Sequence, residues 1–447
     1  MFLIIAVVVM AVLPDLVHFL TVKHVAVTPE TVRLLPARTR LSSVVSRLAA
    51  VAVFLVCSVA VLKRGHPERN VFGVIALLLA LIIPYIISPS LPGTADVFRV
   101  ALAAAVILAI WNIGAPVDGL RWVSITGSII AAYSIIGGVI IPEYMMYGDR
   151  STKALFRNWQ LVGPFGHSNV FGLYCVLALA LSPLIVSVPW RIINGLILCA
   201  AIVASASRTA LIAAGVLALW WIICRFRSVI SIRSAGTALI GLCAAVVVVL
   251  PLLSWKPQSF TGRGFIWTAS LKAWKESPVF GLGINWFETT ATPAPYFARW
   301  AYLAEAHNLV LDTLVRSGLV GMCLVVLVLL AAIRSVRTLD VSSHQIACFG
   351  FLIAFLVEST TEADFILLPN RQQFPVVGLV FAVLISRRLV SRPPAAPLLH
   401  FLEQPFSQGP SRRRPVRRFA PVSICDGPAE PARSATSRRT RFRASLR

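Results

Sequence analysis

The chain reads as an all-α, polytopic transmembrane protein of about twelve spans with one long external loop, and three observations predict that class. It is 57% hydrophobic and only 13% charged, against about 25% charged residues in an ordinary soluble chain. Nearly uncharged stretches long enough to cross roughly 30 Å of hydrocarbon recur from end to end, and the mean hydropathy is +0.82. Amphipathic helices, which a large soluble protein needs to cover its core, are scarce.

The spans are expected, in order, at Phe2–Leu20, Ser43–Leu62, Val71–Ile87, Val97–Trp111, Val123–Ile141, Ser168–Val186, Ile192–Ala204, Thr209–Ile223, Ala235–Leu252, Leu309–Ile333, Gln345–Leu356 and Phe374–Ile385. Two of these, Val97–Trp111 and Gln345–Leu356, read as tilted or broken helices. The opening MFLIIAVVVMAVLPDLVHFL lacks a basic leading region and an A-x-A cleavage site, so it is expected to be retained as a span. Most of the eight Cys, including Cys57, Cys175, Cys199, Cys224 and Cys243, sit inside apolar segments without metal-ligand spacing. They read as small apolar fillers.

Sidedness follows from basic residues in short loops. With both termini inside, the inner loops carry Lys63, Arg64, Arg69, Arg121, Arg191, Arg225, Arg227, Arg233, Arg334 and Arg337. The connection Thr21–Ser42 disagrees, since it holds Lys23, Arg33, Arg38 and Arg40 yet falls outside. Inverting the chain would expel the Arg225–Arg233 cluster and the tail, which is worse. The division is therefore a membrane domain over 1–387, with external loop 253–308, and a tail over 388–447. From Arg387 onward there are fourteen Arg against three acidic residues, +11 of the chain's net +23. That tail is too polar and Pro-rich to bury a core, and attraction to anionic lipid explains its charge without nucleic acid.

This orientation places three notable connections outside: Glu143–His167, the turn Ser205–Arg208, and the loop from Leu253 to Asn308. The last is too aromatic for a plain linker, with Trp255, Trp267, Trp274, Trp286, Tyr296, Trp300 and Tyr302. An interfacial belt accounts for some of these rings. Trp267, Leu271 and Trp274 recur at helical spacing and predict an amphipathic helix on the membrane surface that ends before Pro278.

Polar residues at the borders of apolar segments are the candidates for chemistry. Arg208 lies between two such segments and needs either a partner or a snorkelling path to water. Arg263 is flanked by Gly262 and Gly264, so a ligand can approach its backbone closely. His307 and Asn308 open a long span, and His167 directly precedes another. Histidine suits proton transfer near neutral pH, although a lone His is more often structural. No HExxH motif, no paired carboxylates and no Cys/His cluster appear, so no metal is expected.

Four segments together resemble the O-antigen ligase and polymerase superfamily of bacterial membrane proteins, including its exopolysaccharide polymerases. They are GPFGHSNVFG at Gly163–Gly172, SASRTAL at Ser205–Leu211, GRGFIW with SPVFGLG at Gly262–Gly283, and HNLVLDTLVRSGLVG at His307–Gly321. The resemblance implies a metal-independent, inverting glycosyltransferase of the bacterial inner membrane that uses no cofactor. It implies a donor glycan on undecaprenyl diphosphate, an acceptor that is a glycan, lipid or protein, and contact with export or chain-length proteins. It assigns Arg208 and Arg263 to the diphosphate and His307 to activation of the acceptor hydroxyl. His167, Asn169, Asn308 and Glu305 take supporting places, Glu305 by orienting the neighbouring His307. The tail beyond Arg392 has no counterpart in the family pattern. Two other classes remain open, a polytopic transporter and a non-enzymatic scaffold of an export complex. A transporter of this size predicts two related halves, and no internal repeat is visible.

Overall fold

The computed structural model describes residues 1–23, 39–62, 71–88, 93–148, 159–226, 228–288, 305–363 and 372–387. The basic tail, most of Thr21–Ser42, and Tyr296, Trp300 and Tyr302 lie outside them. The described chain is α-helical with a single two-stranded hairpin, β1 (Met146–Gly148) and β2 (Trp159–Leu161).

Among the described residues, eight helices are long and apolar enough to span a membrane. They are α1 (Phe2–Phe19), α2 (Arg40–Leu62), α4 (Thr94–Ile113), α5 (Arg121–Ile140), α7 (Val188–Ser205), α8 (Arg208–Arg225), α9 (Ile232–Val249) and α11 (Leu309–Arg337). Three shorter apolar helices accompany them, α3 (Val71–Ile86), α6 (Ser168–Ala180) and α12 (Ser342–Glu358). The protein is thus a multi-pass membrane protein, and the expected count of twelve spans is corrected. The segment expected at Phe374–Ile385 is turns followed by α13 (Gly378–Ile385), eight residues long. At 1.5 Å per residue it reaches only about 12 Å.

For α6, α12 and α13 the physical reason for the miscount is burial, while α3, with 16 residues, is apolar but shorter than the long spans. Every residue of α13, almost every residue of α6 and most residues of α12 are buried. A helix that is apolar all round belongs in a protein interior as readily as in lipid. The long helices show the complementary pattern, with one buried stripe and large exposed apolar side chains such as Leu196, Ile212 and Leu242. Val97–Trp111, expected as tilted or broken, lies inside the uninterrupted helix α4.

The external loop contains α10 (Arg263–Trp274), which ends before Pro278 as expected. Its apolar face is not spent on a membrane surface. Ile266, Trp267 and Ala273 pack with Trp286, Phe287, Leu311 and Val315 into a small second core against α11. Among the described residues, the tryptophans of this loop, Trp255, Trp267, Trp274 and Trp286, therefore serve protein packing.

Two motifs interlock below that core. Helix α11 breaks at Gly318, where φ is 59° and ψ −158°. The break frees backbone groups that the Pro278–Gly283 segment takes up. Leu282 N–H donates to Val315 O, Leu319 N–H to Pro278 O, and Val320 N–H to Val279 O. A Cβ at Gly318 would lie 2.3 Å from the Val279 carbonyl oxygen, so the backbone approach requires glycine. SPVFGLG and RSGLVG are two halves of one joint.

Candidate functional site at one end of the bundle

The site is built where six helices terminate at the same end. Helices α6, α8 and α11 begin there, and α7, α9 and α12 finish there. The turn between α7 and α8 is local chemistry: Ala206 takes a left-handed φ of 55°, and the Ser207 hydroxyl caps α8 by accepting from Ala210 N–H. Gly172 of α6 lets this turn pack closely, since a Cβ there would meet Ser207 Cβ at 2.8 Å. Thr209 Oγ1 lies 2.5 Å from Thr361 Oγ1, which ties α8 to the segment after α12.

That segment carries Glu362, and Glu362 is the hub. Its Oε1 accepts from Arg263 Nη2 at 2.5 Å and from Asn169 Nδ2 at 2.7 Å. Its Oε2 lies 3.4 Å from His307 Nδ1, while Glu305 Oε1 lies 3.0 Å from the same nitrogen. Residues from the starts of α6, α10 and α11 thus converge on one buried carboxylate. Two partly buried cationic partners hold Glu362 ionised: its burial pushes towards the neutral acid, and His307 and Arg263 outweigh that.

His307 has a left-handed backbone, φ 49°, a conformation that costs on the order of 1–2 kcal/mol in a non-glycine residue. The fold compels it: Trp267 Nε1 donates to its carbonyl at 3.4 Å, and the next residue is locked as a cap. Burial disfavours the imidazolium, but hydrogen bonding and attraction to Glu305 and Glu362 prevail, and its pKa is pushed up to about 10. The ring is therefore cationic at neutral pH in this arrangement. With Nδ1 turned to the carboxylates, Nε2 has no partner among the described residues.

The expected site residues divide into four groups. Arg263, Asn169, Glu305 and His307 meet directly. His167 caps α6, its Nδ1 accepting from Asn169 N–H, and is close enough to Glu362 to act on its charge. Arg208 opens α8 at the same end, exposed and without an ion pair among the described residues. Asn308 is architectural: Oδ1 accepts from Val310 and Leu311 N–H, and Nδ2 donates to Val247 and Thr360 carbonyls.

Two expectations change. Glu362 was not singled out in the sequence, and paired carboxylates do exist once folding brings Glu305 and Glu362 to one imidazole. Together with His307 they offer ligand atoms within 4.8 Å of one another, the residue types of a divalent-cation site. The shared carboxylate is already matched by Arg263 and His307, so a cation there would meet a guanidinium 2.5 Å from its ligand oxygen. The geometry suits an ion-pair network better than a metal. Arg263 retains donors for a ligand, its Nε being buried without a partner among the described residues.

The fold and this site define a polytopic helical membrane protein with a charged cluster at one end of its bundle. Over residues 193–326 the chain matches the family model described as O-antigen ligase. That stretch runs from α7 into α11 and includes Arg208, Arg263, Glu305 and His307, but neither Asn169 nor Glu362. No curated protein matches the chain.

Proposed function

We propose that the chain is a metal-independent, inverting glycosyltransferase of the bacterial inner membrane, a polymerase or ligase of surface polysaccharide. The donor is a glycan on undecaprenyl diphosphate, and the acceptor is a glycan, lipid or protein. The observation that carries the reading is the convergence on Glu362 of Arg263, His307 and Asn169, drawn from three distant stretches of sequence. The partial O-antigen ligase match supports the same class.

In this reading Arg208 and the free donors of Arg263 hold the diphosphate, whose oxygens suit guanidinium forks. The acceptor oxygen attacks the anomeric carbon in line, and the bond to the diphosphate oxygen breaks. The charge left on the diphosphate is stabilised by the arginines. The hydroxyl proton passes to Nε2 of neutral His307, while Glu305 and Glu362 orient the ring through Nδ1 and stabilise the imidazolium that forms. Asn169 and Arg263 keep Glu362 in place. The polyprenyl chain stays in lipid beside the spans, so the reaction belongs at the outer leaflet.

The test is glycosyl transfer by purified protein in nanodiscs, normalised to folded protein, with donor binding measured separately. His307→Ala is expected to keep donor binding and lose roughly 10²–10⁴-fold in transfer, and EDTA is expected to leave the wild type unchanged. Near-normal transfer by folded His307→Ala defeats the general-base role, and loss of activity in EDTA that Mg²⁺ or Mn²⁺ restores makes Glu305, His307 and Glu362 a metal site instead.

A further inference from the structure

At the other end of the bundle from Glu362, a cavity of about 790 Å³ opens between α7, α8 and α12, within the range of ligand-sized sites. Helices α7 and α8 are joined by the tight Ser205–Arg208 turn and touch little beyond it, so they diverge towards this end. One face of α7 lines the gap, with Arg191, Gly195, Leu196 and Cys199, and α8 faces it with Trp221 and Arg225. From Arg191 to Cys199 is about 12 Å of helix, apolar along the whole depth below the arginine.

The charged groups sit at the mouth. Arg191 is in the first turn of α7 and Arg225 is the last residue of α8. Arg191 is fixed, donating through Nε and Nη2 to the Ile185 carbonyl at 2.9 and 2.6 Å, which leaves Nη1 without a hydrogen bond among the described residues. Arg225 is exposed, with no ion pair among the described residues. No acidic side chain lines the cavity among the described residues. A soluble anion would use the two guanidiniums and leave the apolar depth empty. A zwitterionic lipid would fill the depth and carry its own cation into a mouth that already holds two.

We propose that this groove is a binding site for one anionic phospholipid of the leaflet at the basic end of the bundle. The headgroup phosphate pairs with Arg191 and Arg225, and an acyl chain lies along α7 past Gly195 towards Cys199. Basic pockets between transmembrane helices recognise such headgroups. The proposal does not depend on the chemistry assigned to the other end.

Native mass spectrometry of the purified full chain, titrated with phosphatidylglycerol or phosphatidylcholine, tests it. The wild type is expected to bind one phosphatidylglycerol in preference to phosphatidylcholine, undisturbed by millimolar inorganic phosphate. Arg191→Gln and Arg225→Gln should each weaken binding about fivefold, and the Lys versions should retain it. Gly195→Phe keeps both charges, fills the groove and favours the helix, so it should abolish the bound lipid in a monodisperse protein. Equal binding of both lipids, or undiminished phosphatidylglycerol binding by folded Gly195→Phe, overturns the proposal in favour of a general lipid coat. Competition by inorganic phosphate overturns it in favour of a soluble-anion site.

Discussion

A histidine gripped by two carboxylates does not behave as a free imidazole. His307, with a pKa pushed up to about 10, is protonated through the neutral range, so only a small fraction is ready to accept a proton at pH 7. Transfer is therefore expected to climb with pH well beyond the ordinary histidine range and to level off towards about 10. Glu305→Gln removes one of the two charges, so the rising limb should move towards neutral pH, an outcome read from the pH–rate profile. A flat profile from pH 6 to 9 would show that His307 does not supply the titrating base. Stability moves the other way. A raised folded-state pKa contributes stability fully present below the unfolded value of about 6.5 and lost as pH rises through about 10. The thermal midpoint of wild type should fall over that window, and that of His307→Ala should fall less. The two arginines are separable by the same kind of reading. Arg263→Lys keeps the charge but loses the fork that serves Glu362 and leaves Nε for a ligand, so it should damage donor binding and the His307 limb together. Arg208→Lys, at a position without an ion pair among the described residues, should weaken donor binding and leave the limb unmoved.

Helix ends and one broken helix set the positions of these groups, and the break can be tested by itself. Arg316 is buried in α11, paired with Asp312 at 3.0 Å, stacked 4.9 Å from the Phe287 ring and bonded to the Ile284 carbonyl. Asp312 in turn accepts from Ala306 N–H, one residue before His307. Arg316→Met leaves that carboxylate buried without its cationic partner, a loss of about 3–5 kcal/mol when one partner of a buried pair is removed. Adding Asp312→Asn should restore much of it, and a double-mutant cycle of unfolding midpoints in detergent measures the coupling. If Arg316→Met and the double variant unfold alike, the pair does not hold the joint. At this scale the sequence was partly legible. His307 stood out because it is polar at the border of an apolar run, Arg263 because two glycines flank it, and Asn169 only through the family resemblance, while helix α10 followed from its apolar spacing. Glu362 did not, because it follows a short apolar segment within an acidic run that includes Glu358 and Asp364. Nothing local separates it from its neighbours, and only tertiary convergence gives it two cationic partners. The joint at Gly318 was equally silent, since SPVFGLG and RSGLVG reveal their pairing only once the helix between them is seen to break.

Across the whole molecule, hydropathy recognises apolar helices without saying what surrounds them. α6, α12 and α13 meet protein on nearly every side, and their sequences look like spans because burial in protein and burial in lipid ask for the same residues. The ends of the long helices are better marked. Arg121, Arg191, Arg225, Arg233, Arg334 and Arg337 all fall at the end of the bundle away from Glu362, where Arg233 and Arg337 reach across to Leu339 and Thr237. An 18-residue helix separates the two ends by about 27 Å, so the charge bias distinguishes two membrane faces. Basic loops are held in the cytoplasm, so an external Glu362 end is the expectation, against which only the basic connection Thr21–Ser42 counts among the short loops. Lys275 after α10 and Ser228 after α8 are exposed at opposite ends and suit single-cysteine substitution. An impermeant thiol reagent on intact cells should label Lys275→Cys above the parent background, whose seven described cysteines all lie within helices. Ser228→Cys should label only after the cells are permeabilised. The reverse pattern would put the Arg263–His307 cluster in the cytoplasm, out of reach of a donor presented at the outer leaflet, and the glycosyl-transfer reading would have to be abandoned with it.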